Sequence, residues 1–252
     1  MSTEKSLDGQ VALITGGSRG LGRAIAASLG NQGASVFFTY RHDVSAAKEV
    51  ERQISRSGGS AVALKVDVTS RDSVRRGLEV LRDSAESLDI LVNNAGVNVR
   101  KDFLDTTDDD WNLILETNLY GTFMVCQEAW PLFRSSGGRI VNISSVAAQY
   151  HGPRTVPYAV SKAGIISLTK VLARYGAPLN ILVNCVAPGL VLTDQTQDEF
   201  SSGDASKLLE WTLLRRPTRL ENVTSAVSFL VGMNQDNMTG QVLSVSGGAY
   251  LG

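Results

Sequence analysis

Two side chains that could do chemistry together stand four residues apart, Tyr158 and Lys162, in the stretch Val156-Pro-Tyr-Ala-Val-Ser-Lys-Ala163. On a helix they emerge from one face, one turn apart. A phenol beside an ammonium is an acid beside a cation that can tune it. A free tyrosine, at a pKa of roughly 10, holds its proton too tightly for acid–base work at neutral pH. A fixed positive charge nearby favours phenolate and lowers that value. The same pair on a solvated helix face would do nothing, so the elements around it must decide.

The chain has 252 residues, enough for one α/β domain with a full core. Hydrophobic residues make up 43% and charged residues 19%, an ordinary soluble composition. The formal net charge of -1 favours neither nucleic acid nor an anionic membrane as a partner. No apolar run reaches the ~18 residues of a membrane span. The opening residues MSTEKSLDGQ lack the apolar core of a secretory signal, so a cytoplasmic protein is expected. Cys126 and Cys185 lack CxxC spacing and read as reduced, buried thiols. His42 and His151 stand far apart in no ligand motif, so no metal site is expected.

Short apolar runs fall at residues 11–15, 35–40, 61–66, 90–93, 139–143, 181–186 and 242–245. Segments of helical period lie between them, at 22–31, 45–57, 70–87, 108–134, 158–175 and 221–231. The strands read as nearly continuous hydrophobics, as they must when both sheet faces are covered. This alternation predicts an α/β fold: a Rossmann-type, doubly wound parallel sheet of about seven strands flanked by helices, a three-layer sandwich in one domain over 1–252. The one long irregular region, 190–217, mixes polar residues with Phe200, Leu208, Leu209 and Trp211 and reads as a substrate lid.

After the first strand comes Gly16-Gly-Ser-Arg-Gly-Leu-Gly22, and then a helical segment. Strand, glycine loop, helix is the setting in which a backbone can approach a pyrophosphate. The helix N-terminus supplies free N–H groups and the positive end of its dipole. The spacing is T-G-x-x-x-G-x-G. Such a loop, Asn93-Asn-Ala-Gly96, Asn118, Ser145, Tyr158-x-x-x-Lys162 and Pro188-Gly189 follow in this order. In these motifs the chain resembles the short-chain dehydrogenase/reductase family over essentially its whole length, with its closest look to the 3-oxoacyl-ACP reductase branch.

The resemblance implies hydride transfer from a nicotinamide cofactor to a carbonyl carbon, with a proton delivered to the oxygen. Tyr158 would give that proton and Lys162 would tune it and hold the nicotinamide ribose. Ser145, thirteen residues before Tyr158, would hold the carbonyl oxygen. Asn118 would anchor a water relaying protons to Lys162. Gly16, Ser18, Arg19, Gly20, Leu21 and Gly22 would cradle the pyrophosphate. Asp67 and Val68 would meet the adenine, and Asn93, Asn94, Ala95 and Gly96 the adenosine ribose side. Pro188, Gly189, Val191 and Thr193 would hold the nicotinamide. At the end of the second strand, Tyr40 stands where an NAD-selecting Asp would be, and Arg41 follows. With Arg19 nearby, two guanidinium groups suit a 2′-phosphate, so NADP(H) is expected over NAD(H). Asp43, two residues on, could blunt that preference.

The substrate is expected to be a small-molecule ketone or an acyl thioester. Asn98, Val146, Gln149, Tyr150 and His151 fall near the expected pocket. In the resembled branch two arginines dock acyl carrier protein; here Trp130 and Leu179 take those positions. Arg134, Arg154, Arg174, Arg215 and Arg216 are the substitutes on offer. Gly176 and Pro178 should break the helix after Lys162 early. A homo-oligomer, tetramer or dimer, is implied by the resemblance. Two rival readings are an alcohol, sugar or steroid dehydrogenase of the same family and a silent nucleotide-binding or scaffold protein. The joint presence of Asn118, Ser145, Tyr158 and Lys162 speaks against the last.

Overall fold

The structure, a computed structural model, describes residues 6–150, 154–192 and 209–251. The apolar runs become strands β1 Val11–Ile14, β2 Ser35–Tyr40, β3 Ser60–Lys65, β4 Ile90–Asn93, β5 Gly138–Ile143, β6 Ile181–Pro188 and β7 Val242–Val245. They form one parallel sheet in the order β3-β2-β1-β4-β5-β6-β7. Every residue of β1, β4 and β6 is buried, which accounts for their mostly hydrophobic sequence; the polar exceptions, Asn93 and Asn184, are hydrogen-bonded. The chain winds outward from β1 to β3 and then returns to place β4 beside β1. The crevice at the carboxyl ends of β1 and β4 is therefore the topological switch point, where ligands bind in such sheets.

Side chains alternate between two cores. Ile14, Phe38 and Val92 pack with Ile25, Leu29, Ile54 and Leu230, on helices α1 Gly20–Asn31, α2 Val44–Arg56 and the last helix, Leu220–Val231. Leu13, Phe37 and Leu91 point the other way, toward Leu78, Leu81 and Val125 on α3 Arg71–Ser84 and on the helix Gly121–Ala129. That is the three-layer sandwich the alternation predicts.

The predicted helix 108–134 is built differently. It consists of α4 Asp108–Ile114, a widened turn over Leu115–Tyr120 with i→i+5 bonding, and α5 Gly121–Ala129. A tight turn over Trp130–Leu132, carrying Pro131, ends it before 134. Such widened turns in a helix occur often at functional sites, and this one carries Asn118. A short helix the sequence reading missed, α6 Ala147–Tyr150, follows β5. The long helix α7 Val156–Gly176 starts with Pro157 in its first turn and stops at Gly176, where the Gly-Ala-Pro sequence predicts a break. Asn180, in the left-handed region at φ 54°, turns the chain into β6. The last helix, Leu220–Val231, is α8.

The approach to α4 is fixed electrostatically. Thr107 and Asp110 form a reciprocal capping box, and Lys101 donates to Asp110 Oδ2 at 2.6 Å. The Lys101 ammonium and the Thr107 groups hold the Asp110 carboxyl down at about 2. A lowered folded value stabilises the fold above the ordinary carboxylate range and loses that contribution as pH falls through about 2. The Asp110→Asn variant is expected to melt lower than wild type at pH 6 and to converge with it in strong acid. A melting series over pH checks this; a constant difference at all pH values would refute the carboxylate's role.

Candidate active site

The glycine loop between β1 and α1 is clamped from the neighbouring strands β2 and β4. Gly16 N donates to Thr39 Oγ1 at 3.0 Å and Gly17 N to the Thr39 carbonyl at 2.8 Å. Thr15 Oγ1 accepts from the backbone N–H groups of Asn94 and Ala95. The Asn94 amide donates to the carbonyls of Thr15 and Gly16. Its side chain thus locks the loop from β4. Asn93 turns inward instead, donating to Asn142 Oδ1 on β5 and Cys126 Sγ on α5. Gly16 and Gly20 take left-handed φ values of 66° and 50°, which favours glycine at both.

This cradle fits an anion. Asp43, Ser70 and Thr107 cap α2, α3 and α4 with their side chains, whereas Arg19 gives α1 no side-chain cap. The first turn of α1 also carries no acidic residue. Its N–H groups lack intrahelical partners and its dipole points its positive end outward. Leu21 packs into the core, so it can serve an anion only through its backbone. Ser18 is half-buried beside the exposed Arg19.

At the rim of β2 and β3, Arg41 Nε pairs with Asp67 Oδ2 at 2.9 Å. Asp67 also accepts from Thr69 N and Oγ1. Partial burial would raise its pKa, but these bonds and Arg41 leave it below the ordinary value. Tyr40 packs against the core. Asp43 is committed elsewhere. It accepts from Ala46 N at the start of α2 and from Ser45 Oγ, which hold it low, with Arg19 adding a smaller pull. Val68 is buried and sits against Gly121, inside the second core.

Two residues past β5, the chain meets α7. Ser144 and Ser145 are neighbours with different fates. Ser144 is buried, and its hydroxyl donates to the Lys162 carbonyl at 2.7 Å. Ser145 is half-buried, and its hydroxyl lies near enough to the Tyr158 phenol to favour the phenolate. The thirteen-residue interval therefore selects the serine that reaches Tyr158. Lys162 is buried, with Nζ 5.6 Å from the centroid of the Tyr158 ring. Nζ donates to the Ile143 carbonyl at 2.8 Å. Asn118, fully buried in the widened turn, accepts from Val97 N and donates to the Val97 carbonyl and to Ser161 Oγ. Ser161 Oγ donates to the Tyr158 carbonyl. One chain of contacts therefore joins all four predicted residues.

The electrostatics differ from the sequence expectation. Burial pushes the Tyr158 phenol up, and the nearby Ser145 hydroxyl only partly offsets it. Lys162 is pushed down to about 8, by burial first. In this geometry the lysine gives its hydrogen bond to Ile143, and Ser145 is the group that favours phenolate. At Gly96 a side chain would crowd the site. A Cβ would lie 3.1 Å from Asn118 Oδ1 and 3.6 Å from Lys162 Nζ.

The far wall comes from β6 and the segment after it. Val146 N donates to the Pro188 carbonyl, tying the Ser145 loop to β6. A Cβ on Gly189 would come within 2.8 Å of Ser246 Cα, so the backbones touch. The ends of the predicted lid 190–217 lie side by side. Thr218 N donates to the Leu190 carbonyl, Leu192 N donates to the Thr218 carbonyl, and Val191 pairs with Thr218. Tyr150 on α6 meets Trp211 edge-on at 5.5 Å between centroids. Thr193, His151 and lid residues 193–208, Phe200 and Leu208 among them, lie outside the described residues. The sequence reading missed Thr39, Ser144 and Ser161. None belongs to a spacing pattern, since each acts through the backbone of another residue.

An anion cradle at the switch point of a doubly wound sheet, beside a Ser–Tyr–Lys cluster, defines a Rossmann-type oxidoreductase. The family model described as Enoyl-(Acyl carrier protein) reductase matches residues 16–250. The 3-oxoacyl-[acyl-carrier-protein] reductase FabG of Aquifex aeolicus (strain VF5) is 38% identical over 248 residues, 98% of this chain and 100% of that protein. The 3-oxoacyl-[acyl-carrier-protein] reductase of Synechocystis sp. is 35% identical, covering 98% and 99%. A short-chain dehydrogenase/reductase from Serratia marcescens BCRC 10948 superposes with a TM-score of 0.91 at 34% identity, over 97% of this chain and 99% of that one. The chain belongs to the short-chain dehydrogenase/reductase family. Among the described residues no helix is long and apolar enough to cross a membrane.

Proposed function

We propose that the protein is an NADPH-dependent reductase that converts a ketone, a 3-oxoacyl thioester in the first instance, to a secondary alcohol. The observation that carries this reading is the grouping of the Ser145 hydroxyl, the Tyr158 phenol and Lys162 one turn away at one place. Two hydroxyls converging on one point can both hold a carbonyl oxygen as it gains negative charge. The cofactor supplies the hydride when bound. Tyr158, its phenol raised by burial, keeps its proton at neutral pH and gives it to the nascent alkoxide. Lys162 restores that proton, and Asn118 fixes the backbone of Val97 and the start of α7 around it. The 3-oxoacyl substrate is favoured by relatives named for that reaction at 35–38% identity over nearly the whole chain.

NADPH oxidation with 3-oxoacyl thioesters on carrier protein and on coenzyme A, beside simple ketones, tests the reading. Turnover of thioesters supports it; no turnover on any carbonyl would sink it. A second reading, a dehydrogenase for free alcohols or ketones, has its own support. At the two docking positions, Trp130 packs edge-on against Phe133, and Leu179 is half-exposed. Arg134, one substitute, is paired with Asp89 at the opposite end of β4. Turnover confined to free ketones would favour that reading.

The lysine sets the pH dependence. Below about 8 it carries its charge, and above that it loses it. For carbonyl reduction, kcat/KM should be flat toward neutral pH and fall about tenfold per unit above pH 8. A flat profile to pH 10 would remove Lys162 from the mechanism. The cofactor choice is checked at Arg41. The Arg41→Ala variant removes a guanidinium and leaves the Asp67 carboxylate unpaired, and both effects oppose a 2′-phosphate. Kd for NADPH should rise about 10–100-fold, the worth of a charge-assisted hydrogen bond, with NADH nearly unchanged. Equal weakening of both would refute the role.

A further inference from the structure

Three consecutive residues at the end of β5 contact the catalytic helix at three different atoms. The Ile143 carbonyl accepts from Lys162 Nζ at 2.8 Å. Ser144 Oγ donates to the Lys162 carbonyl at 2.7 Å. Ser145 reaches the Tyr158 phenol. Lys162 is thus held at its head and at its backbone by adjacent residues of one strand end. Ser144 is itself anchored, since its N–H donates to the Val186 carbonyl on β6 at 2.8 Å. Ser144 and Lys162 are 2% and 4% exposed, so no water competes for these bonds. A backbone carbonyl inside a helix already has an N–H partner, so the Ser144 bond is not needed to satisfy it. Its consequence is positional: it pins this turn of α7 to β5.

We propose that Ser144 is a positioning residue, whose hydroxyl and the adjoining Ile143 carbonyl clasp Lys162 and set where its ammonium stands relative to Tyr158. This rests on the proposed reading for its catalytic consequence, while the clasp itself can be tested without turnover. Among the described residues, the titratable groups facing Lys162 are few. Tyr158 lies on the same helix, and Cys185 stands on β6, its thiol raised to about 11 by burial. In the widened turn the buried polar side chain near it is the neutral Asn118 amide, and the chain after β5 brings Ser144 and Ser145. A change in the lysine's titration below pH 10 is therefore its own.

Without the hydroxyl the turn can drift, and Nζ is no longer held on the Ile143 carbonyl. That acceptor favours the charged form, so its loss moves the lysine's midpoint to lower pH. The Ser144→Ala variant should show kcat reduced about tenfold, near the worth of one buried hydrogen bond. KM for the carbonyl and Kd for NADPH should stay within about twofold of wild type, well under that loss. The alkaline limb of kcat/KM should shift to lower pH. The Ser144→Thr variant keeps the hydroxyl and should restore both kcat and the limb. Melting temperatures identify a variant that has merely lost fold.

A wild-type kcat and limb in Ser144→Ala, or a folded Ser144→Thr as impaired as the Ala variant, would overturn the proposal and leave the reductase reading intact. If wild type turns over no carbonyl, that reading fails by itself. The clasp is then judged by NMR titration of 13C-labelled lysine side chains. A lower Lys162 midpoint in Ser144→Ala supports it, and an unchanged midpoint overturns it.

Discussion

The Tyr158→Phe variant is expected to lose turnover by about 10²–10⁴-fold, the usual worth of a positioned general acid. Cofactor binding should be nearly untouched. The ring stays, so the packing at the start of α7 and the 5.6 Å approach of Lys162 to the ring are kept. What leaves is one oxygen, together with its interaction with the Ser145 hydroxyl. Burial holds the phenol above its ordinary value, so wild type carries the proton through the whole neutral range. Lys162, pushed down to about 8, stands beside it as another proton source. Residual turnover in the variant should therefore vanish as pH rises past that value. Stopped-flow or steady-state NADPH oxidation, with parallel fluorescence titration of the cofactor, separates the two quantities. Wild-type turnover in the variant would remove Tyr158 from proton transfer. An equal loss of cofactor binding would mean that the phenol serves the fold of the cradle.

How much of this was legible in the sequence depends on which interaction sets each feature. The strands were legible because both sheet faces are covered, so β1, β4 and β6 are buried throughout and nearly all apolar. The break after α7 was legible because Gly176 and Pro178 act locally. The widened turn over Leu115–Tyr120 was not, since no local residue demands it. It is held by tertiary bonds from Asn118 to Val97 and to Ser161 on α7. Spacing chose Ser145 over Ser144 and could not say what Ser144 does. The family resemblance implied a cofactor contact for Asn94. The structure gives its amide to the loop's own carbonyls, a bond that no pattern in one chain reveals. Asp43 looked like a rival to Arg41 until its place at the start of α2 was clear. In each case the residue type was readable and its partner was not. The partner lies 20 to 80 residues away for Asn118 and Asn94.

The Gly22→Ala variant sets helix propensity against close approach, and the two predict opposite signs. Gly22 lies in the first turn of α1, where alanine is favoured by up to about 1 kcal/mol. Against that, an added Cβ would stand 2.1 Å from the Gly16 carbonyl oxygen and 2.5 Å from Asn94 Nδ2. Neither can yield cheaply. The first is backbone in a loop pinned by Thr39, and the second makes the two bonds that hold that loop. Overpacking costs about 1–3 kcal/mol, and each loosened hydrogen bond about 1 more. The net is a loss of about 2–4 kcal/mol, so the contact wins over propensity. The loop shift should also weaken cofactor binding at least tenfold, because it displaces the N–H groups that face the pyrophosphate. Gly164→Ala in α7 is the matched comparison. There the helix gain is the same, and the added Cβ meets only the Leu119 side chain, 2.7 Å from one methyl, whose flexible end can turn aside. Denaturant melts of both variants with NADPH titrations decide it. If Gly22→Ala is as stable as Gly164→Ala and binds NADPH like wild type, the loop has slack, and its glycines serve only its left-handed turns.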